Sequence, residues 1–448
     1  MSTRYAAEPA IAVGLVQSVP TVAIRTTGTF LLDDGSALPE GEYQLTRDGE
    51  QVVVQGPVSG RYPDWSVRPQ DEDTARFSLE TTIGIDFHWE QTERQSFAGA
   101  LRVIRSGSDA LTVINDVPLE TYLGSVIASE MRATAAPDLS RAHAVVSRSW
   151  LLAQIERRGV APPSVPAGRP ALGGDWIRWY DRESHTDFDV CADDHCQRYQ
   201  GVARMDENPR VLDAIAATRG RVLMFDGQVC DARYSKSCGG VTEDFRAAWG
   251  DESVPYLVPF RDHPDPTMPE PPLTDEAAMR RHIEEPPPAW CNCTDVELLG
   301  TFLNAYDLHT LDFYRWTERL EAEEAGRLVL AKLGVDLGRI VALRPVERGR
   351  SGRIVKLEIE GDQGRITIGK ELEIRRALSP KHLYSSAFVV DTEGDPGRPH
   401  AFVLRGAGWG HGVGLCQIGA AVMAANGNGY ETILAHYYPG TALERVYR

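Results

Sequence analysis

The sequence predicts an α+β chain: a small N-terminal β-rich domain, then a mixed α/β domain that carries a β-rich subdomain. Three observations lead there. Short alternating runs rich in β-branched residues fill the stretch from about Pro9 to Glu90, two helical periodicities follow between Pro118 and Ile155, and strand-like runs return between Arg344 and Phe388. At 448 residues the chain has room for two or three cores, and its 42% hydrophobic and 25% charged content are those of an ordinary soluble protein.

In the first segment, Thr21-Val22-Ala23-Ile24-Arg25 and Gln51-Val52-Val53-Val54 are separated by Asp-Gly and Glu-Gly turns, so strands are expected there. No catalytic set is concentrated in it, and a scaffold or ligand-presenting role follows. Ser96 to Asp116 reads as two strands leading into a helix, which marks the start of the second domain. Leu119, Leu123, Val126, Ile127 and Met131 recur at helical spacing, with Glu130 near the end of the stripe. Leu139 to Ile155 is helical by period again, and a turn at Ala136, Pro137 and Asp138 holds Glu130 at the junction. Apolar surroundings are expected to raise the pKa of such a carboxyl, and one kept neutral near pH 7 can act as a general acid.

Between Asp262 and Trp290 the runs HPDPTMPEPP and EEPPPAW exclude regular helix or central strand at those points, so an exposed excursion is expected. Beyond it, Gly352 to Ile359, Gly364 to Ile368 and Leu372 to Arg375 read as strands. There is no internal repeat and no low-complexity tract.

A net charge of −17 argues against nucleic-acid or anionic-membrane partners, which favour clustered positive surface, whereas a polysaccharide makes no such demand. No apolar run approaches the roughly 20 residues of a spanning helix. The N-terminus, MSTRYAAEPAIAVGLVQ, lacks a basic segment followed by an apolar stretch and cleavage site; the chain is expected either to be made without a signal or to have lost one.

Seven cysteines leave at least one thiol unbridged, or some on a metal. His185, Cys191, His195 and Cys196 have the residue types and close spacing of a tetrahedral structural zinc site; the competing reading is a Cys191–Cys196 disulfide with two solvated histidines. Asp181, Asp187, Asp189, Asp193 and Asp194 lack the glycine-punctuated spacing of a calcium loop and read as a solvated acidic loop. A bond from Cys238 to Cys291 or Cys293 would staple the excursion to the core, while Cys230, Cys238, Cys291, Cys293 and Cys416 also permit a second metal. The run Gly406 to Gly414 lacks the Lys-Ser/Thr ending of a phosphate loop. Its glycines could let backbone approach a sugar, with Trp409 as an aromatic face and His411 as a polar contact, or simply form a packed turn. Ser235, Ser237 and Glu243 face the same choice, and no Gly-x-Ser-x-Gly elbow supports a serine hydrolase.

The text around Glu130 resembles the SpoIID/LytB family, named for a sporulation cell-wall protein and an amidase enhancer. The resemblance is carried by Glu120 to Gly124, Glu130-Met131 and Ala142 to Trp150; then by Cys196 to Gly201, Ala217 to Leu223 and Tyr234 to Gly250; and last by Gly408 to Gly414 with Gln417, Gly419 and Ala420, and His436 to Gly440. It runs from about residue 95 to the C-terminus and divides the chain into an N-terminal β-rich domain (1–94), a SpoIID-like core (95–262), the excursion and β-rich subdomain (263–400), and the end of the core (401–448). It implies a peptidoglycan lytic transglycosylase cleaving between N-acetylmuramic acid and N-acetylglucosamine, with Glu130 as catalytic acid and base. It implies substrate contacts from Arg148, Tyr199, Ser235, Ser237, Glu243, Trp409, His411 and Gln417, and Tyr199, Ser235, Ser237, Trp409 and His411 are expected to line one cleft with Glu130. Arg148 could equally form a structural ion pair. Zinc at His185, Cys191, His195 and Cys196 agrees with relatives that bind it just ahead of the same text. The LytB half of the name implies a rival: a non-catalytic wall-binding enhancer of an N-acetylmuramoyl-L-alanine amidase. Either role implies a cell-envelope location.

Overall fold

Alternation of buried and exposed side chains along Thr21–Thr27 and Arg76–Ile83 needs a partner layer for the buried face, and the chain supplies one. The computed structural model describes residues 4–85, 90–157, 168–178, 185–193, 195–206, 208–265, 267–269, 272–304, 307–395 and 397–448. It forms two compact units, one of Met1–Glu156, Ser184–Val222 and Leu443–Arg448, the other of Arg157–Glu183 and Leu223–Ala442. The architecture is α+β.

In the first unit a seven-stranded sheet runs in the order Val190–Cys191, Ala10–Val19, Ala110–Pro118, Ala100–Ser106, Trp65–Pro69, Phe30–Leu32, Ala37–Leu38. A six-stranded antiparallel sheet runs Gln91–Phe97, Arg76–Ile83, Thr21–Thr27, Gly41–Asp48, Gln51–Gln55, Gly60–Tyr62. The strands Ala100–Ser106 and Ala110–Pro118 lie between Ala10–Val19 and Trp65–Pro69, so the boundary expected at residue 94 runs through one sandwich. Central strands cannot be parted from their neighbours without orphaning backbone hydrogen bonds.

Helix α1 (Leu119–Glu130) follows directly on the strand Ala110–Pro118, and helix α2 (Pro137–Glu156) packs against it. Pro137, expected in the turn, opens α2, where its missing N–H costs nothing. The N-terminal amide of α1 is satisfied from far away: Glu8 accepts from the Glu120 N–H at 2.8 Å. Every residue of α1 except Thr121 is buried, so the apolar stripe belongs to a helix enclosed on all sides.

The Glu120 side chain collects the Arg148 Nη2 at 2.6 Å, the Gly220 N–H at 3.1 Å and the Tyr447 hydroxyl at 2.5 Å. Arg148 also donates to the Arg221 carbonyl at 3.0 Å. One buried ion pair thus joins α1, α2, the turn at Gly220 and the C-terminal segment.

In the second unit a four-stranded sheet (Asp175–Ile177, Gly364–Gly369, Ile354–Gly361, Ile340–Arg348) and a three-stranded sheet (Arg315–Glu321, Arg398–Ala407, Phe388–Asp395) share a core with the helices Ala322–Leu333 and Glu371–Ala377. The expected strand Leu372–Arg375 is helical. Four residues are too few to separate the two periods, and Glu371–Arg375 and Glu373–Arg376 pairs at helical spacing favour the helix. The excursion is only partly exposed: between its proline runs lies the helix Glu276–Glu284, and Leu273, Met279 and Ile283 pack on Val389 and Ala407. Among the described residues no helix is long and apolar enough to cross a membrane.

Removing one partner of the Glu120–Arg148 pair strands a charge with no solvent. Glu120→Ala should lower unfolding stability by about 3–5 kcal/mol, read as a shift in urea midpoint; a change below about 1 kcal/mol would show that the pair does not hold these segments.

Candidate functional site

Glu130 ends α1, 7% exposed, and it is not isolated: Arg198 Nε lies 3.9 Å from its Oε1. The opposite charge favours the ionised carboxylate and works against burial, so apolar surroundings are not the only influence on this group. Arg198 reaches it from the segment Cys196 to Gly201, which is anchored on both sides. Upstream, Asp189 and Ala12 exchange a backbone and a side-chain hydrogen bond, and Val190–Cys191 pairs in parallel with Val13 and Gly14. A side chain on Gly14 would strike the Phe188 ring at 2.5 Å, so glycine there lets the loop lie on the strand. Downstream, Tyr199 enters the core.

The sequence-predicted metal ligands converge. One donor atom each from His185, Cys191, His195 and Cys196 lies within 4.8 Å of every other. The Cys196 sulfur is 3.4 Å from His185 Nε2 and 3.5 Å from His195 Nδ1, and the Cys191 sulfur is 3.8 Å from His195 Nδ1. Cys191 and Cys196 are not joined as a disulfide. Hydrogen bonding with Cys196, outweighing burial and aided by His185 and His195, holds the Cys191 thiol far below its usual range. This set could hold a metal ion. Of the acidic residues considered for calcium, Asp181 and Asp194 lie outside the described residues.

Four of the predicted substrate contacts, Arg148, Tyr199, Ser237 and Glu243, have no surface to offer in this conformation. Arg148 is spent on Glu120, and Tyr199 donates to Asn115 Oδ1 at 2.6 Å while stacking on Tyr122 at 5.1 Å and leaning on Phe97 at 5.7 Å. Both side chains are internal, and Tyr199 does not line a cleft.

Ser237, Glu243 and the remaining candidates lie in the second unit, around the glycine-rich loop. Ser237 and Trp409 pair through two backbone hydrogen bonds, and Tyr234–Ser235 runs parallel to Leu415–Cys416. Trp409 is half-buried between Tyr384 and Phe313. Ser235, Ser237 and Gln417 are buried, the last in the first turn of the helix Gln417–Ala425. The loop's glycines serve a buried arginine: Arg353 donates to the Gly410 carbonyl through Nε at 3.2 Å and Nη2 at 3.0 Å, and a side chain on Gly412 would meet its guanidinium at 2.3 Å. Gly412 also has φ of 72°, which favours glycine independently. Glu243 completes this knot. Its carboxylate accepts from the Ser351 hydroxyl at 2.7 Å and the Asp244 N–H at 2.8 Å, and its own N–H donates to the Gly412 carbonyl at 2.9 Å. The close approach expected for a sugar is made here by Arg353.

Residues 107–225 match the family model described as stage II sporulation protein. Over 333 residues the chain is 24% identical to stage II sporulation protein D of Bacillus subtilis (strain 168), covering 74% of this chain and 76% of that protein; over 248 residues it is 25% identical to the amidase enhancer of the same organism, covering 53% of this chain and 33% of the enhancer. The chain carries a domain of the SpoIID/LytB family. Glu130, Arg198 and the four clustered donors all fall inside the stretch matched as a SpoIID domain. Residues 243–414, with Glu243, Trp409 and His411, match a domain of unknown function (DUF8618). An uncharacterized protein of Brachyspira hyodysenteriae is 25% identical over 333 residues, covering 74% of this chain and 68% of its own.

His411 packs on Trp249 at 4.6 Å, and its Nδ1 accepts the Val413 N–H at 3.0 Å, which places the ring proton on Nε2. Burial, with Arg233, Arg353 and Arg375 adding repulsion, keeps its pKa well below 6.5. A histidine depressed in the folded state contributes stability that is present above about pH 6.5 and lost as pH falls, because the unfolded chain takes the proton first. Wild type should therefore lose stability relative to His411→Gln as pH drops from about 7 to about 5. Parallel stability profiles for the two proteins would contradict this.

Proposed function

We propose that the chain is a peptidoglycan-remodelling lytic transglycosylase with Glu130 as its general acid and base. The observation that carries this reading is a carboxyl group at the end of an enclosed helix, 3.9 Å from Arg198, inside a domain similar to stage II sporulation protein D. Glu130 would protonate the glycosidic oxygen, and as carboxylate would take the proton of the muramic C6 hydroxyl as a 1,6-anhydro ring closes. The internal hydroxyl replaces the water and second carboxylate of ordinary glycosidases. Arg198 would compensate the carboxylate between the two proton transfers and fix its rotamer. Trp409, a half-buried residue, is our candidate for stacking on a sugar ring. Peptidoglycan glycan strands are then the substrate, and the cell envelope the place of action.

The cluster of His185, Cys191, His195 and Cys196 suits zinc, since two thiolates and two imidazoles make a closed tetrahedral set. Zinc would supply structure rather than chemistry there. Its bonds would tie down the segment that delivers Arg198 to Glu130. Chelation should release one zinc from this cluster and lower Tm, and protein with Cys191→Ser should fail to retain that zinc; elemental analysis that finds the same zinc content in the variant would dismiss this cluster.

The similarity to an amidase enhancer supports a second reading, in which the same domain binds wall polymer and stimulates an amidase. Glu130→Gln separates the two. It keeps the shape of the side chain and should leave Tm nearly unchanged, while release of anhydro-muropeptides from purified glycan strands, followed by mass spectrometry, should fall by about 10² or more. Full turnover in the variant would move the chemistry elsewhere, and wild type that binds glycan without releasing product would favour the enhancer.

A further inference from the structure

The second unit holds a group of side chains that the proposed reaction does not use. Cys238, Asp262, Cys291 and Cys416 come from four separate segments, all are buried, and one donor atom from each lies within 4.8 Å of every other. The sulfurs of Cys238 and Cys291 are 3.5 Å apart and not disulfide-bonded, and Cys238 Sγ is 3.3 Å from Asp262 Oδ2. Around one tetrahedral ion with sulfur bonds near 2.3 Å and an oxygen bond near 2.0 Å, those separations would be roughly 3.8 and 3.5 Å. The four donors already stand close to that geometry.

Their surroundings prepare them for it. The Cys416 sulfur accepts the N–H groups of Cys238 at 3.3 Å and Gly419 at 3.4 Å, the second from the first turn of the helix Gln417–Ala425, and both hold it in place. The Asp262 carboxylate is divided between two tasks. Its Oδ1 is held by His436 Nε2 and the Tyr437 hydroxyl, each at 3.0 Å, which leaves Oδ2 facing the sulfurs. Hydrogen bonds of this kind orient metal-ligating carboxylates, and they give the His436-Tyr437 motif a task that the glycan chemistry does not. Among the described residues Asp262 has no lysine or arginine as an ion-pair partner, although it is fully buried. Its ion-pair neighbour is His436, at 3.0 Å, and a metal ion at Oδ2 would add a full positive charge beside the buried carboxylate. Two arginines offset further charge nearby: Arg315 donates to the Gly239 carbonyl at 3.0 Å and Arg353 to the Cys238 carbonyl at 3.3 Å.

We propose that Cys238, Asp262, Cys291 and Cys416 form a second, structural metal site for zinc, distinct from the histidine–cysteine cluster. Three sulfurs and one oxygen select a borderline-soft ion over magnesium or calcium, and four protein donors leave no position for substrate. Asp262 and Cys291 bracket the excursion of residues 263–290, whose ends already meet through the Trp290 N–H and the Asp262 carbonyl at 2.9 Å. The ion would lock that closure to Cys238 and to Cys416, beside the glycine-rich loop. This site stands or falls independently of Glu130.

The test uses full-length protein carrying Cys191→Ser and Cys196→Ser, which disables the first cluster and leaves the second intact. Purified from zinc-replete cells without chelator, it should retain one zinc per chain. Cobalt in place of zinc should give intense sulfur-to-cobalt charge-transfer bands and tetrahedral d–d bands. Adding Cys291→Ser should abolish that metal, and His436→Gln, which keeps all four donors, should weaken its retention by about 10- to 100-fold. Should Cys291→Ser fail to fold, the wild type still decides: Cys238, Cys291 and Cys416 should resist thiol alkylation in mild denaturant with zinc and react once the zinc is chelated, as mapped by mass spectrometry. A first-cluster variant without metal or cobalt bands, alkylation indifferent to zinc, or a Cys238–Cys291 disulfide in the peptide map would each overturn the site.

Discussion

The ion pair between Glu120 and Arg148 is the constraint on which the rest of the first unit depends. A guanidinium without solvent is tolerable only if its charge is matched, and Glu120 matches it while the Ala144 and Arg221 carbonyls take up Nη1. Because Glu120 also holds Gly220 and Tyr447, the pair sets where α1 begins, and α1 is enclosed. Glu130, ten residues along and so about 15 Å away by helical rise, inherits its position from that anchor. Fixing the far end of a rigid helix is an economical way to hold a reactive carboxyl, since loops hold side chains less closely.

The second unit repeats the principle with a different partner. Arg353 is buried and held mostly by carbonyl oxygens, and glycine at 412 lets the loop close around it. Glu243 lies within the same knot and adds the opposite charge. Trp409 and His411 are thereby carried on a loop whose backbone is set by a cation, so their orientations depend on residues that never approach a ligand. The neutral state of His411 is part of this economy, since burial beside Arg233 and Arg353 disfavours a further positive charge.

Sulfur plays two roles in the chain. In the first unit it is paired with imidazole close to Glu130's partner Arg198; in the second it gathers with Asp262 where four segments meet.

The amino-acid sequence alone determined the α+β class, the helix pair around Glu130, the glycine-rich loop and the four donors of the histidine–cysteine cluster. Each is written in local spacing: periods of 2 and 3.6, glycines at alternate positions, ligands within twelve residues. Only the tertiary structure decided that residues 100–118 belong inside the N-terminal sandwich, that Leu372–Arg375 is helix, and that Arg148 and Tyr199 are internal. Arg198 was visible within the Cys196 to Gly201 text, but nothing local ties it to a glutamate 68 positions earlier. The same holds for Cys238, Asp262, Cys291 and Cys416, spread over almost 180 residues. Spacing along the chain encodes which residues share a helix face or a loop; which distant side chains share a buried charge or a set of ligands is settled by packing, where desolvation favours polar groups that find a partner.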